Sequence, residues 1–140
     1  MRTRLGNGLY SMKDSIRSII GARKELTATA FIADQTPSYT ATHWTMFLNQ
    51  ETPFFTGMAK IAKKMNYPII FVTMDRVGRG KYHIESEELI AEPKNLSEEK
   101  ITQIYIRKLE EDIRKHPAIW LWSHRRWKRT RPDDIPLYED

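Results

Sequence analysis

The chain has 140 residues, enough for one domain of ordinary size, and its 23 Lys and Arg residues against 18 Asp and Glu residues give a formal net charge of +5. The absence of cysteine excludes a disulfide scaffold, a thiol nucleophile and a cysteine-based zinc site. No apolar run approaches the roughly 18–20 residues that cross a bilayer, so we expect no transmembrane segment, and the basic surplus indicates an anionic partner.

The first third of the chain predicts a helix, then a strand, then a loop. Residues 11–14 have the spacing of a capping box, and one helical face follows, formed by Met12, Ile16, Ile19 and Ile20. Residues 26–33 are branched, aromatic or Thr and nearly uncharged, which predicts a buried strand ending at Asp34 and Gln35. Residues 35–55, with two prolines and several threonines, are predicted to be irregular.

The remaining two thirds predict helices alternating with strands. Thr56 and Gly57 open a helix that Pro68 stops, residues 69–74 form a second buried strand, and residues 82–90 form a third strand. Ser97 caps a long helix with a buried stripe formed by Ile101, Ile104, Tyr105, Leu109 and Ile113. This alternation predicts an α/β fold, a layered domain with a mixed sheet flanked by helices over residues 1–132, and an acidic tail over residues 133–140 that frays.

The segment after the long helix is the first candidate site. Six cations, counting a protonated His124, lie among three tryptophans: His124, Arg125, Arg126, Lys128, Arg129 and Arg131 with Trp120, Trp122 and Trp127. Guanidinium groups bind phosphate, and indoles stack or lie at a membrane interface, so nucleic acid, phospholipid headgroups and acidic sugars all suit this segment. The alternative is a solvated charged run whose tryptophans pack on the core.

Two shorter motifs add candidate anion-binding or ligand-binding residues. Thr56 and Gly57 begin a helix, where free N–H groups attract anions, although an ordinary helix cap explains them as well. Asp34 and Gln35 follow a predicted strand, and ligands of open α/β sheets collect at the carboxyl ends of strands. A polar turn is the alternative there.

The histidines offer no general base by spacing. His83 and Glu88 have the His-x-x-x-x-Glu spacing, but in a strand positions i and i+5 point to opposite faces. The other three histidines have leucine or arginine at that spacing. No nucleotide-binding or metal-ligand motif is present either, so we expect neither a cofactor nor a metal.

Four stretches resemble the lipid A biosynthesis acyltransferases, the lauroyl and myristoyl transferases of the lysophospholipid acyltransferase superfamily. The most specific is IWLWSHRRWKRTRP near the end of the chain. The others, in the order of the family, are RLGN…MKDSIRSII, FIADQTPSY and PFFTGMAKIAKKMNYPIIFV. The resemblance runs from about Arg2 to Pro132, and it implies the C-terminal half of a glycerolipid-acyltransferase-like domain.

The resemblance implies transfer of a fatty acyl chain from acyl carrier protein or coenzyme A to a hydroxyl of a lipid A precursor. In the family a His-x-x-x-x-Asp/Glu pair deprotonates that hydroxyl, and the pair lies upstream of the arginine that Arg4 matches. The chain would therefore lack catalytic residues and be inactive alone. It would keep the residues implied to bind substrate or anion: Arg4, Asp34, Gln35, Thr56, Gly57, His124, Arg125 and Arg126.

The implied setting is the cytoplasmic face of the inner membrane for the full-length enzyme, with an anionic membrane surface as partner and no nucleic acid. Self-association is expected of a half-domain that exposes sheet edges and apolar surface. Two alternatives remain open from the residues alone, a peripheral membrane module and a nucleic-acid-binding module, each built on the basic Trp and Arg segment.

Overall fold

The computed structural model describes residues 8–9, 14–37 and 43–139, which belong to two compact units, Met1–Phe31 and Ile32–Asp140. In the first unit, helix α1 spans Ser15–Gly21 and a 3-10 turn spans Ala22–Lys24. Asp14 occupies the N-cap position of α1 rather than the third helical position expected of it, and its side chain makes no capping hydrogen bond. The other residues of the expected capping box, 11–13, lie outside the described residues.

The predicted strand over residues 26–33 is wrong, because this stretch has no regular secondary structure. Leu26 and Ile32 are exposed rather than buried. A strand needs a partner for its backbone N–H and C=O groups, and no strand of the described chain pairs with these residues. High β-propensity alone therefore gave a false signal.

The predicted loop over residues 35–55 is also wrong, because it contains a β-hairpin. Strand β1 spans His43–Phe47, strand β2 spans Gln50–Phe54, and the two are antiparallel. Leu48 and Asn49 form the turn with positive φ angles of 49° and 64°, as a two-residue hairpin turn of the twist-matched kind requires. Pro53 is tolerated because β2 lies at the edge of its sheet, where a strand can lack a ladder N–H.

The C-terminal tail adds a third strand to this sheet. Strand β5, Leu137–Tyr138, pairs in parallel with β1, so the sheet has the order β2-β1-β5 and is mixed. The hydroxyl of Thr45 donates to the carbonyl oxygen of Tyr138 over 2.8 Å. Part of the tail expected to fray over residues 133–140 is thus in a sheet.

Two helices confirm the sequence predictions closely. Helix α2 spans Gly57–Met65 with Thr56 at its N-cap, and it ends at Asn66, whose φ of 51° is left-handed. Helix α3 spans Glu98–Lys115, and the Ser97 side chain caps it by accepting from the Lys100 N–H over 3.0 Å. Within the described residues, no helix combines the length and apolar character that crossing a membrane demands.

Strands β3, Ile69–Gly78, and β4, Lys81–Ile90, form a separate antiparallel hairpin that turns at Gly80 with a φ of 70°. The prediction that residues 69–74 are a buried strand is wrong in its burial. One face, called here the outer face, is exposed. Its apolar members are Ile70, Val72, Met74, Tyr82 and Ile84, and Arg76, Ser86 and Glu88 share it. The opposite face bears Asp75 and Glu87, which lie beside the end and the middle of α3.

The main core joins the β1–β2 hairpin to α3. Phe47 and Phe54 meet edge-to-face with ring centres 5.1 Å apart, and Tyr105, Ile106 and Ile113 of α3 complete the buried cluster. Trp120 and Trp127 pack against this cluster from the segment after α3. The α/β class expected from the sequence is confirmed, and the core fixes where the basic segment lies.

Candidate functional site

The basic segment after α3 is tied to strand β2 by two neighbouring side chains. Nη2 of Arg126 donates to the carbonyl oxygen of Pro53 over 2.7 Å, and its guanidinium lies 4.5 Å from the centre of the Phe54 ring. The indole N–H of Trp127 donates to Oγ1 of Thr52 over 2.8 Å. These contacts fix the position of the segment on the hairpin.

The turn that follows Asp34 and Gln35 meets the same segment through Thr36. The Thr36 N–H donates to Nε2 of His124 over 3.0 Å, and the Thr36 hydroxyl donates to the carbonyl oxygen of Arg126 over 2.8 Å. Because Nε2 of His124 accepts, the neutral ring carries its hydrogen on Nδ1. Two candidates that the sequence presented separately are therefore brought together.

Arg126 is a buried cation with unused hydrogen-bond donors. Its exposed fraction is 1%, and burial lowers its pKa to about 10, although electrostatic interactions with Tyr105 and Asp34 act in the opposite direction. It stays charged at neutral pH. Its Nε and Nη1 have no hydrogen-bond partner in the described part of the chain. Charged donors of this kind bind carboxylate or phosphate oxygens strongly where a ligand can reach them.

The other members of this cluster differ in exposure. Arg125 and Gln35 are exposed, whereas Asp34 and His124 are half-buried. Arg4, which the sequence adds to the candidate site, lies outside the described residues. The cluster formed by residues 34–36 and 124–126 is called here the Arg126 cluster.

Packing explains the glycine at the start of α2. A Cβ on Gly57 would lie 2.1 Å from Cζ of Phe55, so the Phe55 ring occupies the space of a side chain. The Thr56 side chain makes no capping hydrogen bond. The structure brings Thr56 to a second cluster and not to the contacts around Arg126.

This second cluster surrounds a cleft of about 90 Å³ lined by His43, Thr56, Lys60, Glu98, Glu99 and Tyr138. His43 is 2% exposed and stacks on Tyr138 with ring centres 4.5 Å apart. Burial lowers the pKa of His43, although the charge of Glu99 and a hydrogen bond with Gln103 act to raise it. Sequence reasoning missed this buried histidine because it placed the residue in a loop and tested only one carboxylate spacing.

The remaining histidines make carboxylate contacts that the spacing test did not cover. Nδ1 of His116 lies 3.5 Å from carboxylate oxygens of both Asp75 and Asp112. The structure confirms that His83 and Glu88 share a strand, and the carboxylate beside His83 is Glu85, at 3.0 Å. The contact with Asp112 could have been predicted from the sequence, because Asp112 lies four residues before His116 at the end of α3. The contact with Asp75 could not, because Asp75 lies on strand β3.

The chain matches a known protein family. A family model described as bacterial lipid A biosynthesis acyltransferase matches residues 1–129 of the chain. No curated protein matches the chain. The matched range contains the residues implied to bind substrate or anion, from Arg4 to Arg126, and ends before Arg131 of the basic segment.

Proposed function

The chain belongs to the bacterial lipid A biosynthesis acyltransferase family, and on this premise we propose that it is the C-terminal half of an enzyme acting on a lipid A precursor. The reaction moves a fatty acyl chain from an acyl carrier protein or coenzyme A thioester to a hydroxyl of the precursor. The hydroxyl oxygen attacks the thioester carbonyl carbon, the C–S bond breaks, and the thiol leaves as the hydroxyl proton passes to a base.

The Arg126 cluster carries the substrate-binding part of this proposal. Arg126 is a buried cation with two unpartnered donors in the described chain, and the exposed Arg125 precedes it. Phosphate groups of the precursor and the oxyanion formed at the thioester are the anionic oxygens of this reaction, and preorganised donors stabilise such oxygens. Asp34, Gln35 and His124 complete the proposed substrate-binding set around Arg126, and Arg4, Thr56 and Gly57 are proposed as substrate-binding residues on the family resemblance alone.

The general base belongs, in this proposal, to a His-x-x-x-x-Asp/Glu pair upstream of Arg4. The outer face of the β3–β4 hairpin supports the idea of a further part of the enzyme, because its exposed apolar side chains lack the cover that a core strand has. General base catalysis contributes about 10²- to 10⁴-fold to rate. The chain alone is therefore expected to bind substrate better than it transforms it.

The setting follows from the substrate. A lipid A precursor is membrane-embedded, so the full-length enzyme works at a membrane, and the family resemblance implies the cytoplasmic face of the inner membrane, beside an anionic lipid surface. Seven Lys and Arg residues and no Asp or Glu lie from Arg114 to Pro132. Arg114, Lys115 and Arg131 pair with glutamates and Arg126 is buried, so the exposed Arg125 and Lys128 are the cations that suit such a surface.

Substrate binding tests this proposal without requiring turnover. Calorimetric titration of the chain with a phosphorylated lipid A precursor in neutral detergent micelles should give saturable binding that Arg126→Met weakens at least tenfold. Arg79→Met removes an exposed arginine of the β3–β4 turn and serves as the matched control, with unchanged affinity expected. Equal affinity in the parent chain and Arg126→Met would remove the substrate-binding role of Arg126.

A further inference from the structure

An exposed apolar turn follows α3 and precedes the Arg126 cluster. Residues 117–123, called here the Trp122 turn, contain no regular helix or strand. Three of their side chains are large, apolar and exposed: Ile119 at 43%, Leu121 at 52% and Trp122 at 56%. Neighbouring exposed apolar groups on a short turn mark an interaction surface more strongly than the same groups scattered singly.

The Trp122 turn is held in this conformation by its own hydrogen bonds and by the core. Nε1 of Trp122 donates to the carbonyl oxygen of Pro117 over 2.6 Å, and the His124 N–H donates to the Leu121 carbonyl over 3.0 Å. The Trp122 ring meets Trp120 edge-to-face at 4.7 Å, and Trp120 packs on the core. The side chains are therefore presented to solvent by an ordered scaffold, which lowers the entropic cost of binding.

The charges around the turn select an anionic partner. The nearest acidic residues along the chain, Asp112 and Asp133, lie outside the basic stretch that contains the turn. Arg125 and Lys128 are exposed three and six residues after Trp122. Exposed apolar side chains followed in the chain by basic residues are typical of surfaces that bind anionic bilayers. The apolar side chains enter the headgroup boundary, and the cations contact lipid phosphates.

We propose that the Trp122 turn docks on an anionic phospholipid surface, with Ile119, Leu121 and Trp122 entering the headgroup boundary. The indole N–H of Trp122 is already bonded within the chain, so entry leaves no donor unsatisfied. Two tryptophans of the segment, Trp120 and Trp127, serve the core instead. The inference rests on the proposed function only in that the substrate of the enzyme lies in a membrane.

Vesicle flotation of the 140-residue chain tests the proposal. Binding is expected to vesicles of phosphatidylcholine with phosphatidylglycerol, and to be much weaker to phosphatidylcholine alone. Leu121→Glu should reduce binding at least tenfold. Lys128→Glu should reduce it about fivefold or more, since each basic residue near an anionic surface contributes about 1 kcal/mol.

Matched controls separate this surface from others on the chain. Ile84→Glu changes an exposed apolar residue of the outer face, and Lys64→Glu changes an exposed lysine of α2. Both should bind vesicles as the parent chain does, and circular dichroism of each variant checks that it is folded. Vesicle binding that survives Leu121→Glu, that Ile84→Glu abolishes, or that is absent from the parent chain would overturn the proposal.

Precursor binding in detergent micelles distinguishes this inference from the proposed function. Micellar precursor binding without vesicle docking would refute the docking surface alone. Vesicle docking through Leu121 without precursor binding would support the surface and contradict the substrate-binding role of the Arg126 cluster. Preferential binding of duplex DNA over anionic vesicles at matched salt would contradict the lipid assignment.

Discussion

At the residue scale, Arg126 combines features that rarely serve stability alone. A guanidinium taken out of water loses hydration, and the carbonyl of Pro53 and the face of Phe54 replace only part of it. Its pKa of about 10 expresses that loss. Asp34 offsets only part of that loss through its electrostatic interaction, and two donors of the guanidinium have no partner in the described chain, which is what the proposed role in substrate binding requires.

Arg126→Met is therefore expected to separate stability from binding. The change removes a desolvated charge and leaves the Pro53 carbonyl without its donor, so opposing effects of about 1–3 kcal/mol each should leave the free energy of unfolding within about 2 kcal/mol of the parent. Urea denaturation measures this quantity. A loss well above that range would show that Arg126 mainly stabilises the fold.

His43 should make the free energy of unfolding depend on pH. Burial lowers its pKa below 6.5, so in the folded state it resists protonation that the unfolded chain accepts. The contribution of His43 to stability is therefore complete above pH 6.5 and is lost as the pH falls through the lowered pKa. Between pH 7 and about pH 5, the free energy of unfolding should decrease.

His43→Gln isolates this effect. Urea denaturation of the variant should show a smaller decrease over the same pH interval, whereas His83→Gln, at an exposed histidine, should behave as the parent chain does. An identical decrease in the His43→Gln variant and the parent would assign the pH dependence to other groups.

At the element scale, the packing of the Phe55 ring determines which residue can begin helix α2 at position 57. Gly57→Ala in the parent chain places a Cβ against the Phe55 ring and should be neutral or destabilising. In a Phe55→Ala background the space is free, and the same change should stabilise by about 0.5–1 kcal/mol through helix propensity. Thermal or urea unfolding of the four proteins measures the coupling, and equal effects in both backgrounds would show that the ring is easily displaced.

The β3–β4 hairpin explains the expected self-association. Both strands have an open edge within the described chain, and the outer face exposes apolar side chains. Sedimentation of the 140-residue chain should show oligomers at high concentration, and Val72→Glu with Ile84→Glu should shift it to monomer. A parent chain that sediments as a monomer at every concentration would contradict this expectation.

The elements that sequence could predict are those whose signals are local. The Ser97 cap and the apolar stripe of α3 lie within one helix, as does the start of α2 at Thr56. Residues 26–33 show the limit, because β-propensity does not say whether a partner strand exists. The β1–β2 hairpin was hidden by Pro53, which an edge strand tolerates and a central strand would not.

The candidate site shows the same limit. The basic segment and the Asp34–Gln35 turn were readable as polar clusters, but their meeting depends on Thr36 and His124, which are 88 positions apart. Burial of Arg126 was not readable either, since adjacent arginines look alike in sequence and only the packing on Phe54 separates them. Distance in the chain, rather than chemistry, limited the prediction.

At the scale of the whole molecule, the positive charge is concentrated in one stretch near the C-terminal end of the sequence. The stretch from Arg114 to Pro132 carries seven Lys and Arg residues and no Asp or Glu, which alone exceeds the net charge of the chain. Three of these cations pair with glutamates, Arg126 is buried, and Arg125 and Lys128 are exposed. Family membership, the buried cation and the uncovered outer face together support one account. On the proposed function, the chain binds an anionic lipid substrate, and another part of the enzyme supplies the general base.

The decisive measurement is acyl transfer by the 140-residue chain alone. A radiolabelled acyl donor, either acyl carrier protein or coenzyme A thioester, is incubated with a lipid A precursor, and acylated product is measured against a protein-free control. We expect product no faster than about 10⁻² of the rate of a longer protein that includes a His-x-x-x-x-Asp/Glu pair, since general base catalysis contributes at least that much. Robust transfer by the chain alone, above all if His83→Gln or His43→Gln abolished it, would contradict the assignment of the base to another part of the enzyme.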